Sequence, residues 1–268
     1  MINTYEHIHW KYAGKSPQEI NVYKEYYNKV FSELNINRIH DCTCGSGALT
    51  FPLIYLGYNV SGSDISEIMV DHAKDRVKSE NLNNDFFVAD LRNINNYNLG
   101  KIDCLISTGN SLAHVNNEDF FDFITSASRL LSKNSYLYFD TRNWDKIVEH
   151  KQRFLPYRLN ITDERIQQIL QVWDYNADNS ITFNILIHDY TNDGYLIGTD
   201  YQFVPPYYPI TYKDINEILS RNGFRIIKRY NFDLFGLWKT DQSKNIDFIE
   251  SEDDLAMVDW YSVLAIKE

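Results

Sequence analysis

Apolar residues recur along this chain at two spacings, and the change of spacing marks the change of element. Ile20, Tyr23, Tyr27, Val30, Phe31 and Leu34 share one side of a 3.6-residue period, which predicts a helix. Its start is written as Ser16-Pro17-Gln18-Glu19, a capping box with proline at the first helical position. A short strand from Arg38, a glycine turn and a helix from about Ala48 come next, and a second strand ends at Asp64. SEIMVDHAKDRVKSE reads as a helix with Ser66 as its cap. DFFVAD is a third strand ended by Asp90, and IDCLIST a fourth that runs into Gly109-Asn110-Ser111. EDFFDFITSASRLL is amphipathic, with Phe120, Phe123, Ile124, Ala127 and Leu131 inward, and SYLYFD is a fifth strand.

Strands alternating with helices predict an α/β fold, a mostly parallel sheet wound on both faces with ligands at the carboxyl ends of its strands. Asp64, Asp90, Gly109, Asn110 and Asp140 all fall at such ends. From Arg165 to Val204 the period shortens to two. RIQQILQVWDY, SITFNILIHDY and YLIGTDYQFV predict two or three antiparallel strands joined by ADNS and TNDG turns, a sheet inserted over the site. The helix TYKDINEILSRNG and the strands RIIKRYNF and VDWYSVLAI then complete a seven-stranded sheet. The expected division is a core over 1–150, the inserted sheet over 151–208 and the closing elements over 209–268.

The stretch from Arg38 to Asp64 carries the chemistry. Gly45 and Gly47 let a turn pass close under a ligand, and an acid about 20 residues on, Asp64, suits the hydroxyls of a ribose. Thr50 stands where a dinucleotide fingerprint has its third glycine, which argues against pyrophosphate. Asp41-Cys-Thr-Cys44-Gly45-Ser-Gly47 instead resembles the D-x-x-x-G-x-G motif of class I S-adenosylmethionine methyltransferases. The cofactor expected from that resemblance is S-adenosyl-L-methionine. Asp41, Cys44, Gly45, Gly47, Asp64, Ile65 (against the adenine), Asp90 (toward its amino group), Leu91, Thr108 and Gly109 are the candidate contacts.

Composition narrows the picture further. The 268 residues are 44% hydrophobic, enough for a substantial core. A net charge of -11 argues against nucleic acid as a partner. Cys42, Cys44 and Cys104 fit small buried groups better than a disulfide, and no metal site is expected. No apolar run is long enough to span a bilayer, so the expectation is a cytoplasmic protein.

Four further stretches are similar to the glycine N-methyltransferase family, including its glycine/sarcosine relatives. STGNSLAH at 107–114 resembles L-G-N-S-F-A-H, and FDTRNWDKI at 139–147 resembles D-H-R-N-Y-D. PPYYP at 205–209 resembles S-Y-Y-P, and WKYAG at 10–14 resembles W-Q-L-Y-I-G. The resemblance implies N-methylation of an amino acid, with a small-molecule acceptor bearing an amine and a carboxylate, and a possible homo-oligomer. It implies a lid helix at the N-terminus, Arg142 on the acceptor carboxylate and Asn110 accepting from its amine. Tyr12, Tyr207 and Tyr208 would line the acceptor pocket, and Trp10 and His114 would lie near the cofactor. One departure stands out: where the family has an arginine for the methionine carboxylate, this chain has Glu19, with Lys15 the nearest cation.

Three other readings compete. The same scaffold serves methylation of an oxygen or a heteroaromatic nitrogen of an acidic metabolite, such as a phosphonate. Arg142 also suits a rim ion pair with Asp140 or Asp145, and the chain suits an idle adenosylmethionine-binding module. VPPYY resembles the N-P-P-Y of adenine N6 enzymes, but it does not follow the fourth strand, and Val204 cannot accept a hydrogen bond.

Overall fold

The computed structural model describes residues 16–232 and 247–268. The candidates Trp10 and Tyr12, with Lys15 and the WKYAG stretch, lie outside them. Helix α1 (Pro17–Phe31) leads into β1 (Arg38–Asp41), α2 (Phe51–Tyr55), β2 (Asn59–Asp64), α3 (Glu67–Ser79) and β3 (Phe86–Val88). Next come β4 (Cys104–Ser107), α4 (Asn117–Leu130), β5 (Tyr136–Arg142) and α5 (Trp144–His150). Four strands follow, β6 (Phe154–Ile161), β7 (Ile166–Tyr175), β8 (Ile181–Tyr190) and β9 (Leu196–Tyr207). The chain closes with α6 (Tyr212–Arg221), β10 (Phe224–Asn231), α7 (Glu252–Met257) and β11 (Trp260–Lys267).

The main sheet has the order β10-β11-β5-β4-β1-β2-β3. β3, β2, β1, β4 and β5 run parallel, and β11 is antiparallel to both neighbours. The buried strands read as expected for a sheet covered on both faces: CLIS in β4 is buried at all four positions. That places the carboxyl ends of β2, β1, β4 and β5 side by side on one rim.

Helix α1 covers one face through rings rather than aliphatics. Tyr23, Tyr26, Tyr27, Val30 and Phe31 are buried, whereas Ile20 and Leu34 of the predicted stripe are only half-buried. Phe31 meets Tyr138 of β5 edge to face at 5.3 Å, and the Tyr26 hydroxyl bonds Ser262 of β11 at 2.5 Å. The capping box forms as predicted, with Glu19 accepting from the Ser16 N–H at 2.8 Å.

Three expectations are corrected. The helix predicted from Ala48 begins at Phe51, because residues after Gly47 are still closing the turn on it. The strand predicted to end at Asp90 stops at Val88, and Asp90 caps a 3-10 turn over Leu91–Asn96. The second sheet has four strands in the order β6-β7-β8-β9, all antiparallel, not two or three. β6 escapes a sequence reading because Pro156 interrupts it; as an edge strand it tolerates a proline, and its register shifts there.

The second sheet shares the core of the first. Trp173, Ile181 and Phe183 belong to the same apolar cluster as Phe139, Trp144 and Phe120. Trp173 sits 6.0 Å from Trp144 and 6.0 Å from Tyr207, ring centre to ring centre. The backbone of Tyr208 donates to the Ala113 carbonyl at 2.7 Å, stitching the end of β9 to the loop after β4. Trp173→Ala should therefore cost about 3–5 kcal/mol by denaturant unfolding. A loss below about 1 kcal/mol would mean that this ring does not hold the two sheets together.

Candidate functional site

The glycine turn after β1 is held from below by a carboxylate. Asp41 is fully buried and accepts from the Thr50 hydroxyl at 2.7 Å, the Thr108 hydroxyl at 3.1 Å and the Thr43 N–H at 3.1 Å. It joins the turn, the start of α2 and the end of β4. Burial pushes its carboxyl up to about 6. Asp41 and Thr108 thus lie beneath the ligand surface, and Thr50 replaces a glycine because its hydroxyl is needed here. Cys44 is buried as well, its thiol pushed up by burial and its N–H bonded to the Ser63 carbonyl at 2.9 Å.

The two glycines do different work. Gly47 has φ +84°, and a Cβ there would stand 2.4 Å from the Phe51 ring, so no other residue fits. Gly45 has φ +51°, but a Cβ there would meet only the Met69 methyl at 3.7 Å. Its surroundings are open, and its N–H donates to Asp64 Oδ2 at 2.8 Å. Asp64 Oδ1 accepts from the Ser66 N–H at 3.0 Å. Each carboxylate oxygen keeps a lone pair for a hydroxyl, so the residues present fit a ribose at this point. Ile65, next to it, is 56% exposed, an apolar side chain left at the crevice as a purine face requires. Asp90 is less available: Arg92 grips both its oxygens at 2.5–3.0 Å and holds the carboxyl below its usual range. Leu91 is half-buried against the core.

The loop after β4 turns sharply because Gly109 (φ +78°) and Asn110 (φ +58°) are both left-handed. That conformation aims two successive N–H groups at Asp140, at 2.7 and 2.8 Å, and Trp260 Nε1 donates to the same carboxylate at 2.9 Å. Asn110 Oδ1 accepts from the Arg142 N–H at 3.0 Å. The loop is therefore clamped to β5 twice.

Arg142 ends β5 and is buried. Its guanidinium carbon lies 4.9 Å from the Trp173 ring, 5.1 Å from Trp260 and 5.9 Å from Tyr207. Tyr207 stacks on Phe183 at 4.3 Å, and His114 packs on Tyr207 at 4.8 Å, so His114 belongs to the aromatic wall. Tyr208 is half-buried beside it. Both acids proposed as partners of Arg142 receive other donors, Asp140 as above and Asp145 from the Tyr212 N–H at 2.9 Å. Glu19 is engaged in its capping box.

Asn110, Arg142, Tyr207 and Tyr208 thus come together on one side, and Gly45, Gly47, Asp64 and Ile65 on the other. Sequence reasoning missed Trp144, Trp173 and Trp260, which build the wall. The signal was there: tryptophan occurs only five times in 268 residues, and Trp173 falls on the inward phase of an alternating strand. Burial lifts Asp140 from the usual carboxylate range to about 7, against the pull of three hydrogen bonds. Unfolded, Asp140 releases its proton near pH 4, so its contribution to stability is complete below that and is lost as pH rises toward 7. The stability of the native chain relative to Asp140→Asn should fall from pH 4 to 7 and level off above. A pH-independent difference in unfolding free energy would refute the shift.

Comparison with known proteins agrees with this geometry. Residues 39–134 match the family model described as "Methyltransferase domain". The ubiquinone biosynthesis O-methyltransferase of Pelagibacter ubique is 33% identical over 106 residues, 40% of this chain and 42% of that protein. The chain spans less than half the length of the curated relatives it matches. An S-adenosylmethionine-dependent methyltransferase from Clostridium acetobutylicum superposes with a TM-score of 0.70 at 16% identity, over 99% of this chain and 98% of that one. CalS10, an amino pentose methyltransferase from Micromonospora echinaspora, gives 0.67 at 12% identity, over 98% and 96%. Identity that low carries the fold and no more. Residues 39–134 thus match a methyltransferase domain, and the chain has the α/β fold seen in class I S-adenosylmethionine-dependent methyltransferases.

Proposed function

We propose that the chain methylates the amine of a small molecule that also carries an acidic group, an amino acid such as glycine or sarcosine. The observation that carries this reading is Arg142, a buried guanidinium at the end of β5, beside the clamped loop and walled by Trp173, Trp260 and Tyr207. A planar fork fixed by rings suits a two-point grip on a carboxylate. CalS10, which shares this fold, is described as acting on an amino pentose, a small molecule that carries an amine.

S-adenosylmethionine supplies an activated methyl group when bound. Asp64 would hold its ribose hydroxyls, Ile65 its purine face, and Gly45 the close approach of the turn. On the acceptor side Arg142 orients the acid. Asn110 is a positioning residue, since its side-chain oxygen already holds the Arg142 N–H. With the amine bound neutral, transfer needs alignment rather than a strong base, and exclusion of water by the aromatic wall favours it. The methylated amine loses its proton to solvent on release.

A second reading puts the methyl on an oxygen of an acidic metabolite. The 33% identity to an O-methyltransferase favours it, although that match covers only 40% of this chain. A panel of amino acids, amines and hydroxy acids with labelled cofactor separates the two. Arg142→Lys then tests the grip: acceptor KM should rise roughly 30- to 150-fold while adenosylmethionine affinity stays within about twofold. A fall in melting temperature with acceptor preference intact would remove the carboxylate clamp.

A further inference from the structure

The face of β7 that turns toward the site carries a buried amide among apolar side chains. Alternation sends Ile169, Gln171 and Trp173 to that face, and register sets Leu155 of β6 and Ile185 of β8 directly beside Gln171. Leu155, Ile185 and Trp173 belong to the shared core, and Ile169 packs against it. Gln171 is nonetheless only 3% exposed. A carboxamide in such a place costs stability unless its polar atoms are met.

One end of it is met. Trp173 Nε1 donates to Gln171 Oε1 at 3.2 Å. An indole nitrogen only donates, so this bond fixes which end of the amide is oxygen and leaves Nε2, with two N–H groups, for another partner. Among the described residues, nothing accepts from that nitrogen. Other buried amides here are treated differently. Asn143 Nδ2 donates to the carbonyls of Leu255 and Val258 at 2.7 and 2.9 Å, and Asn184 Nδ2 to Val172 O and Asp174 at 3.3 and 3.2 Å. The indole that holds Gln171 also walls Arg142, whose guanidinium carbon lies 4.9 Å from its ring. Gln171 and Arg142 therefore flank one side chain, a pair of donors at its nitrogen and a cation at its ring.

We infer that Gln171 is a specificity-determining residue of the acceptor site, donating from Nε2 to a second oxygen of the methyl acceptor, a carbonyl or hydroxyl beyond the acid. With Arg142 as the acid clamp, the reading on which this assignment rests, the acceptor is an amine-bearing acid with a polar oxygen at its far end. Glycine and sarcosine have no such oxygen and leave the donors unmet. A site built to hydrogen-bond a group rejects the analogue lacking it far more strongly than an apolar pocket rejects a change of size.

Initial rates with labelled cofactor, on asparagine and glutamine against leucine and norleucine of similar length, test this. In the native chain kcat/KM should favour the amide in at least one pair by roughly 10- to 100-fold, and that amide over glycine. Gln171→Leu should bring the preference within about threefold, whereas Arg142→Lys should slow all four acids alike. Should Gln171→Leu misfold by circular dichroism, Gln171→Met, which keeps the length of the side chain without its N–H groups, takes its place. A native chain that favours neither amide or prefers glycine, or a folded Gln171 variant that keeps the preference, would overturn the role of Gln171 and leave the clamp standing. Methylation of the decarboxylated amines as readily as of the acids, or of no amino acid in the set, would overturn the clamp and the role of Gln171 with it.

Discussion

Asp140 is a carboxylate kept out of water by the chain around it, and three N–H groups turned toward it hold it there. An acid in that position is costly unless its lone pairs are filled, so the loop after β4 cannot take any other course. Gly109 and Asn110 must both be left-handed to supply their N–H groups, and Trp260 must bring its indole across from β11. Once that loop is fixed, Asn110 Oδ1 accepts from the backbone N–H of Arg142 and places the side chain proposed to grip the acceptor. Asp41 does the same for the glycine turn by engaging Thr43, Thr50 and Thr108. Two buried acids, on the strands that flank β4, thus fix the two loops that border the crevice.

The second sheet completes the wall around Arg142 without being a separate unit. Its inward phase contributes Trp173, Phe183 and Tyr207 to the common core, and these rings surround Arg142. Its outward phase leaves Ile161, Leu196 and Tyr201 exposed. Strand alternation puts the buried and the more exposed side chains on the same ten-residue segments, Ile166–Tyr175 and Ile181–Tyr190. A one-residue register slip would exchange the two phases and turn these rings away from Arg142.

Much of the cofactor half was legible before any coordinates, because each local rule pointed the same way. The helix and strand periods, the Gly45-Gly47 turn and the acid at Asp64 are all short-range signals. The antiparallel closing strand and the buried cysteines were legible for the same reason. What stayed hidden depends on tertiary partners. β6 carries a proline that only an edge position permits. Asp90 looks free at a strand end until Arg92, two residues on, folds back onto it. Arg142 is evident as an arginine after a strand, but nothing in its neighbourhood announces Trp173 and Trp260, which lie 31 and 118 residues away. Acceptor identity lives in that long-range assembly, which is why local motifs named the cofactor class more firmly than the substrate.

The central claim is that the crevice between β1 and β2 binds the nucleoside of S-adenosylmethionine through Asp64. Titration calorimetry of S-adenosylmethionine into the native chain and into Asp64→Ala tests it most directly. The account predicts one site in the native chain and a loss of about 1–3 kcal/mol in the folded variant, from the missing charge-assisted hydrogen bonds to the ribose. No heat of binding in the native chain, or equal affinity in both, would contradict it.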